Sequence, residues 1–210
     1  NSVPPAFAFN PLPVGFKPIH ENSLFAPGEY KDIEKPTAIE ELAYYSIGEL
    51  AALLRTRQVT SVELTKIYLE RLRKYGPKLE CVITLTKERA LEMAKRADRE
   101  IAAGKFRGLL HGIPYGIKDL FATKDYKTTW GATPFKEQMI PCDAAVVKKL
   151  EDAGAVLVAK LTMGALAWGD VWFGGKTRNP WDVSQGSSGS SAGSAAAVSA
   201  GLVQIGRAHV

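Results

Sequence analysis

Cysteine and histidine are scarce, with two of the first and three of the second in 210 residues. Cys81 and Cys142 lie far apart and lack metal-ligand spacing. They allow a disulfide without implying one, so they leave the redox compartment, and with it the localisation, open. Neither cysteine therefore points to a metal site. No apolar run approaches the ~20 residues of a membrane span. Charge of one sign is not concentrated either. The formal net charge is +5, but Arg55, Arg57, Lys66, Arg71, Arg73 and Lys74 fall on or near predicted helices and read as a solvated face, so no nucleic-acid partner is expected. His20 sits in a proline-rich extension, His111 ahead of a strand and His209 in an atypical tail, so none suits a histidine-based triad. The chain opens on Asn1 rather than methionine, and the lack of a leader therefore carries no weight.

Apolar residues make up 46% of the chain and charged residues 23%, which is ordinary for a globular domain with a sizeable core. Residues 1–42 read as an irregular extension, broken by prolines from Pro4 to Pro36. Phe7, Phe9, Phe16 and Phe25 make it too apolar for a pure linker, so some rings are expected to pack on the domain surface. Residues 43–203 read as one domain. Ser46 can cap a short helix over 47–54, and Thr60 to Glu63 is a capping box ahead of Leu64, Ile67, Tyr68 and Leu72 at helical spacing. Residues 81–85 are β-rich. A helix over 87–103 places Ala90, Ala94, Ala97 and Ile101 on one face and ends at Gly104. Residues 115–120 read as a strand, and Asp143 as the cap of a helix carrying Val146, Val147 and Leu150. Residues 155–159 follow as a buried strand. The alternation predicts an α/β fold with a mixed or parallel β-sheet covered by helices.

Two clusters carry chemistry. Residues 184–199 hold seven serines with Gly186, Gly189 and Gly193 among them. A flexible tether is one reading. The small-residue helix that follows from Ser194 favours a packed loop whose amides and hydroxyls meet a developing anion at a helix start. The loop lacks the Lys-Ser/Thr ending of a nucleotide-binding P-loop, and Gly186 to Gly189 does not fit a Gly-x-Ser-x-Gly elbow. The second cluster is Gly112-Ile-Pro-Tyr-Gly-Ile-Lys118-Asp119-Leu120. Lys118 is either a strand-end lysine reaching solvent or a desolvated lysine kept neutral to act as a base.

Taken together, these segments resemble the amidase signature family from about Ala43 to Val203. Gly112 to Asp119 is similar to the family's lysine motif, and Ala153 to Met163 to its helix-to-strand segment. Thr177 to Asp182 leads into Ser188-Gly189-Ser190-Ser191-Ala192-Gly193-Ser194, which is similar to the serine-rich signature. The resemblance implies an amidase-signature fold, of which the chain holds only the N-terminal part. It also implies a Ser–Ser–Lys triad acting through an acyl-enzyme on a small-molecule amide. The lysine maps to Lys118 and the middle serine, on a cis peptide, to Ser190. Met163, Gly189 and Ser191 map to substrate-binding positions. A homodimer is allowed.

Ser188 and Ala192 stand where the family commonly has glycine. Met163 to Ala167 lacks the acidic pair that the resemblance leads one to expect in glutaminase subunits of tRNA amidotransferases, which favours a stand-alone amidase. The rivals are a non-catalytic member of the fold and such a glutaminase subunit. The resemblance places the nucleophilic serine beyond Val210, so the 210-residue chain by itself is expected to hydrolyse no amide. Resemblance stops at Val203. Ile205 to Val210 back-translates, with suitable codons, to a common sequencing-library adapter, so residues 204–210 are expected to be an adapter-derived tail.

Overall fold

A computed structural model describes residue 30 and residues 32–207. Phe7, Phe9, Phe16, Phe25, His20 and His209 lie outside the described residues. Within the stretch read as irregular, Ile39–Tyr44 forms a 3-10 turn that buries Leu42.

Two helices begin at the expected caps. In α1 (Ile47–Arg55), the Glu49 N–H donates to Ser46 Oγ at 3.3 Å and the Ser46 N–H donates to the Glu49 carboxylate at 2.7 Å. Thr60 and Glu63 repeat the exchange at 3.1 and 2.7 Å ahead of α2 (Ser61–Leu79). Each box satisfies amides that a first turn leaves without an intrahelical partner. A further carboxylate sits at the head of α2. Asp98, on α3 (Lys87–Ala102), accepts from the Ser61 and Val62 amides at 2.6 and 3.1 Å. The favourable pole of the α2 dipole thereby fastens the two helices together. α3 buries Ala90, Met93, Ala94, Ala97 and Ile101 on one face, as its spacing predicts, and Gly104 follows it at φ +76°.

The central sheet is mixed. Its strands are β1 (Val82–Leu85), β2 (Pro114–Lys118), β3 (Val156–Leu161) and β4 (Ile205–Arg207), in the order β1-β3-β2-β4. β1 runs antiparallel to β3, whereas β2 is parallel to both β3 and β4. Every residue of β2 and β3 is buried, as expected for strands covered on both faces. Tyr115, Ile117 and Leu157 pack there with Leu72 of α2, Ala94 of α3 and Ala197 of α5 (Ala192–Ser199). A second apolar cluster joins Leu42, Leu50, Leu53, Leu64 and Ile113. The segment 205–207, read from sequence as foreign to the domain, occupies the edge beside β2.

The helix before β3, α4 (Ala145–Asp152), departs from the sequence reading. Its N-cap is Ala144, with no side-chain cap bond. Asp143 accepts instead from both terminal nitrogens of Arg89, at 3.3 and 3.1 Å, and from the Lys124 N–H at 2.9 Å. A bidentate guanidinium–carboxylate pair is stronger than a neutral cap bond, so it takes the carboxylate away from the helix. Of the arginines and lysines assigned to a solvated face, Arg71 also departs. It is half-buried and donates to Gly201 O at 2.7 Å and Ala200 O at 3.1 Å at the end of α5.

These contacts set expectations for stability. Thr60→Ala in the intact protein should cost about 1 kcal/mol, read as a lower urea midpoint at unchanged slope. Gly193→Ala should cost more, at least ~1–3 kcal/mol. Its new Cβ would meet Thr162 N and Oγ1 at 2.4 Å and Cys81 O at 2.5 Å. Equal midpoints for Gly193→Ala and wild type would contradict that close packing.

Candidate active site

β2 and β3 run parallel and end at the same level, with Lys118 paired to Leu161. Clefts for chemistry in open α/β sheets form beyond the carboxyl ends of such strands. α5 starts there. The Gly193 N–H donates to Thr162 O at 2.9 Å, and the Thr162 N–H donates to Cys81 O at 3.0 Å. Glycine at 193 is what permits this approach, because any side chain would strike the Thr162 amide just past β3 and the Cys81 carbonyl.

The serine-rich loop is packed rather than free. The Ser187 N–H donates to Thr177 O at 2.9 Å, and the Ser188 N–H to the Asp170 carboxylate at 3.1 Å. The Gly189–Ser190 peptide is cis. A Cβ on Gly189 would lie 1.8 Å from Gly169 O, so a side chain there is excluded. The Gly164 N–H donates to Ser190 O at 3.1 Å, which ties the loop to the segment after β3.

Within this frame Lys118 Nζ stands 2.8 Å from Ser190 Oγ. Lys118 is fully buried, and burial pulls its pKa below the ordinary lysine value by penalising the ammonium. An ammonium donates to the serine hydroxyl at that distance, and a neutral amine accepts its proton. The structure thus brings together the two residues taken from sequence as triad members. The strand end that could have reached solvent is closed over instead.

The other assigned residues surround this pair at different ranges. Gly189 frames it directly. Met163 is buried immediately before Gly164. Ser191 is the N-cap residue of α5, and its carbonyl, not its hydroxyl, accepts the helical bond from the Ala195 N–H at 3.0 Å. Trp168, Trp172 and Phe173 follow in the next segment, and Trp168 and Phe173 among them stay exposed. Trp168 is 86% exposed, while Trp172 meets Phe173 edge-on at 5.0 Å and lines a separate cavity with Leu72, Val82 and Leu85. His111 is buried away from the site. Its Nδ1 accepts from the Arg107 N–H at 3.1 Å, and its Nε2 faces Glu100 at 3.1 Å. Cys81 and Cys142 are both free, one buried and one exposed. Among the described residues no cluster of histidine, cysteine and carboxylate side chains suits a metal ion, and no helix is long and apolar enough to cross a membrane.

One feature of the site was missed from sequence. Lys160, next to last in an apolar strand, is fully buried and pairs with the equally buried Asp119 at 2.8 Å. A lysine inside the run Val156–Leu161 was the available signal, because a buried lysine needs a partner.

The Amidase family profile matches residues 63–208. The A subunit of glutamyl-tRNA(Gln) amidotransferase from Azoarcus sp. (strain BH72) is 45% identical over 163 residues, covering 76% of this chain and 33% of that protein. Its counterpart from Coxiella burnetii (strain RSA 493 / Nine Mile phase I) is 43% identical over 161 residues, covering 75% and 33%. Among solved structures, native peptide amidase from Stenotrophomonas maltophilia superposes with a TM-score of 0.73 at 35% identity, over 80% of this chain and 36% of that one. Fatty acid amide hydrolase gives 0.74 at 28% identity, over 81% and 31%. The chain therefore spans about a third of the length of the curated relatives it matches. With the profile covering most of its residues, and a mixed sheet, a cis Gly–Ser peptide and a buried lysine beneath the serine loop, this chain belongs to the Amidase family.

Proposed function

We propose that the intact protein hydrolyses a carbon–nitrogen amide bond of a small-molecule substrate, with Lys118 as terminal base and Ser190 as proton relay. The observation that carries this reading is the 2.8 Å contact between the buried Lys118 Nζ and Ser190 Oγ. A neutral Lys118 takes the proton of Ser190, which takes that of a nucleophilic serine supplied by sequence beyond this segment. That serine adds to the amide carbonyl, the amine leaves with the returned proton, and water hydrolyses the acyl-enzyme to the acid. Gly189 and Met163 border the acyl group, and the backbone around Ser191, at the start of α5, lies where developing negative charge is favoured. No cofactor enters the scheme, and the protein acts on its own or as a homodimer.

A second reading is a glutaminase subunit that passes ammonia to a tRNA-bound substrate. The curated relatives named above favour it, because both are A subunits of glutamyl-tRNA(Gln) amidotransferase. Against it stands the segment Met163-Gly-Ala-Leu-Ala167, which lacks the acidic pair that the resemblance leads one to expect in a glutaminase subunit. Turnover of a panel of aryl, alkyl and peptide amides, compared with glutamine, separates the two. Glutamine as the sole substrate would overturn the stand-alone reading.

In the intact protein, Lys118→Ala should lower kcat/KM by about 10⁴ or more, as loss of a relay member does. Ser190→Ala should cost less, since water can replace a relay hydroxyl. Lys118→Arg should fail as Lys118→Ala does, because guanidinium does not deprotonate in a protein. Wild-type kcat/KM should rise with pH as Lys118 loses its proton, and the rise should begin below the ordinary lysine range because burial lowers that pKa. Near-normal turnover by Lys118→Arg would make Lys118 a structural cation and end the assignment.

A further inference from the structure

Beside the relay lies a buried polar network that the reaction scheme does not use. Lys160 Nζ pairs with Asp119 Oδ1 at 2.8 Å and donates to Thr128 Oγ1 at 2.7 Å, Lys127 O at 2.7 Å and Phe121 O at 3.2 Å. The other Asp119 oxygen accepts from the Thr129 N–H at 2.8 Å and from the Thr129 hydroxyl. Thr129 Oγ1 in turn accepts from the Gly131 N–H at 3.2 Å. Asp119, Lys160, Thr128 and Thr129 are all at most 1% exposed. One ammonium and one carboxylate therefore gather the whole excursion from β2 to residue 131.

That excursion holds the next segment. The Leu166 N–H donates to Trp130 O at 2.9 Å and the Phe173 N–H to Gly131 O at 3.0 Å. The segment so held supplies the Gly164 N–H that binds Ser190 O and the Gly169 carbonyl that fits against Gly189. Asp119 also follows Lys118 directly in the chain. Strand alternation puts Lys160, in register with Ile117, on the face opposite Lys118. The network thus starts next to the base, passes through two loops and ends on the backbone of the relay serine.

We propose that the Asp119–Lys160–Thr129 network is a positioning device that fixes the Ser190 loop against Lys118. Its residues touch neither substrate nor the reacting atoms. They act through the backbone of residues 130–131 and 164–169. A relay that moves two protons in sequence tolerates little misplacement, so loosening this frame lowers turnover without weakening substrate binding. The catalytic half of the inference rests on the amidase reading given above, and the structural half does not.

The test uses the intact protein. Lys160→Met strands a buried carboxylate and risks the fold, so the decisive variant is Thr129→Val, which keeps the volume and removes the hydroxyl. Thr129→Ser is the conservative control. Hydrogen exchange of the Gly164, Leu166 and Phe173 amides should speed up about tenfold in Thr129→Val, with the β3 amides unchanged, and return towards wild type in Thr129→Ser. Turnover per active site, titrated with a serine-directed fluorophosphonate, should fall about tenfold with KM nearly unchanged, and Thr129→Ser should restore it. Unchanged exchange at those three amides, or acceleration shared by β3, would overturn the positioning role. Unchanged kcat in an otherwise active Thr129→Val protein would overturn it too. A wild-type protein without any amide turnover would sink the amidase reading instead, and the exchange measurement would still decide whether the network holds the loop.

Discussion

Two lysines buried at the ends of neighbouring strands set the terms for the rest of the molecule. Removing an ammonium from water is expensive unless it is paired or loses its proton. Lys118 and Lys160 stand one residue apart in register on β2 and β3, and burial lowers the pKa of both. Lys160 meets a buried carboxylate and three oxygen acceptors, which offset part of the cost of burying its ammonium. Lys118 stands against a serine hydroxyl, and burial favours its neutral form. Because strand alternation sends the two side chains to opposite faces, the sheet keeps the two environments apart.

Small residues make that arrangement sterically feasible. α5 is built from Ala, Gly, Ser and Val and buries Ala192, Gly193, Ser194, Ala196 and Ala197. A helix of larger residues could not lie this near the end of β3, since even one methyl group at 193 would strike the Thr162 backbone. Dispersion contacts replace bulk here, as interiors are close-packed. The same economy of size recurs in the loop, where Gly189 fits against the carbonyl of Gly169. The proximity of Lys118 to Ser190 is therefore a property of backbone packing more than of either side chain.

The likeness to amidotransferase A subunits in sequence and to peptide amidase and fatty acid amide hydrolase in structure points to one shared frame. In this chain the segment after Met163 carries alanines and leucine, and Trp168 beyond it is exposed. Function on a common frame is argued from such local chemistry rather than from the fold.

Much of this was legible in the residues. Ser46, Glu49, Thr60 and Glu63 announce two helix starts by local bonds that need no tertiary partner, and the alanine spacing of α3 marks its buried face. The lysine and serine motifs, in order, named the family and the pair Lys118–Ser190. Tertiary structure decided the rest. Asp143 reads as a cap until Arg89 arrives from another helix and takes its carboxylate. Trp168 and Phe173 are large and apolar, yet nothing local tells that they stay at the surface. The Asp119–Lys160 pair joins residues 41 positions apart in sequence through β-strand register. Local bonds are written in neighbouring residues, whereas competition for a buried charge is settled only when distant elements meet.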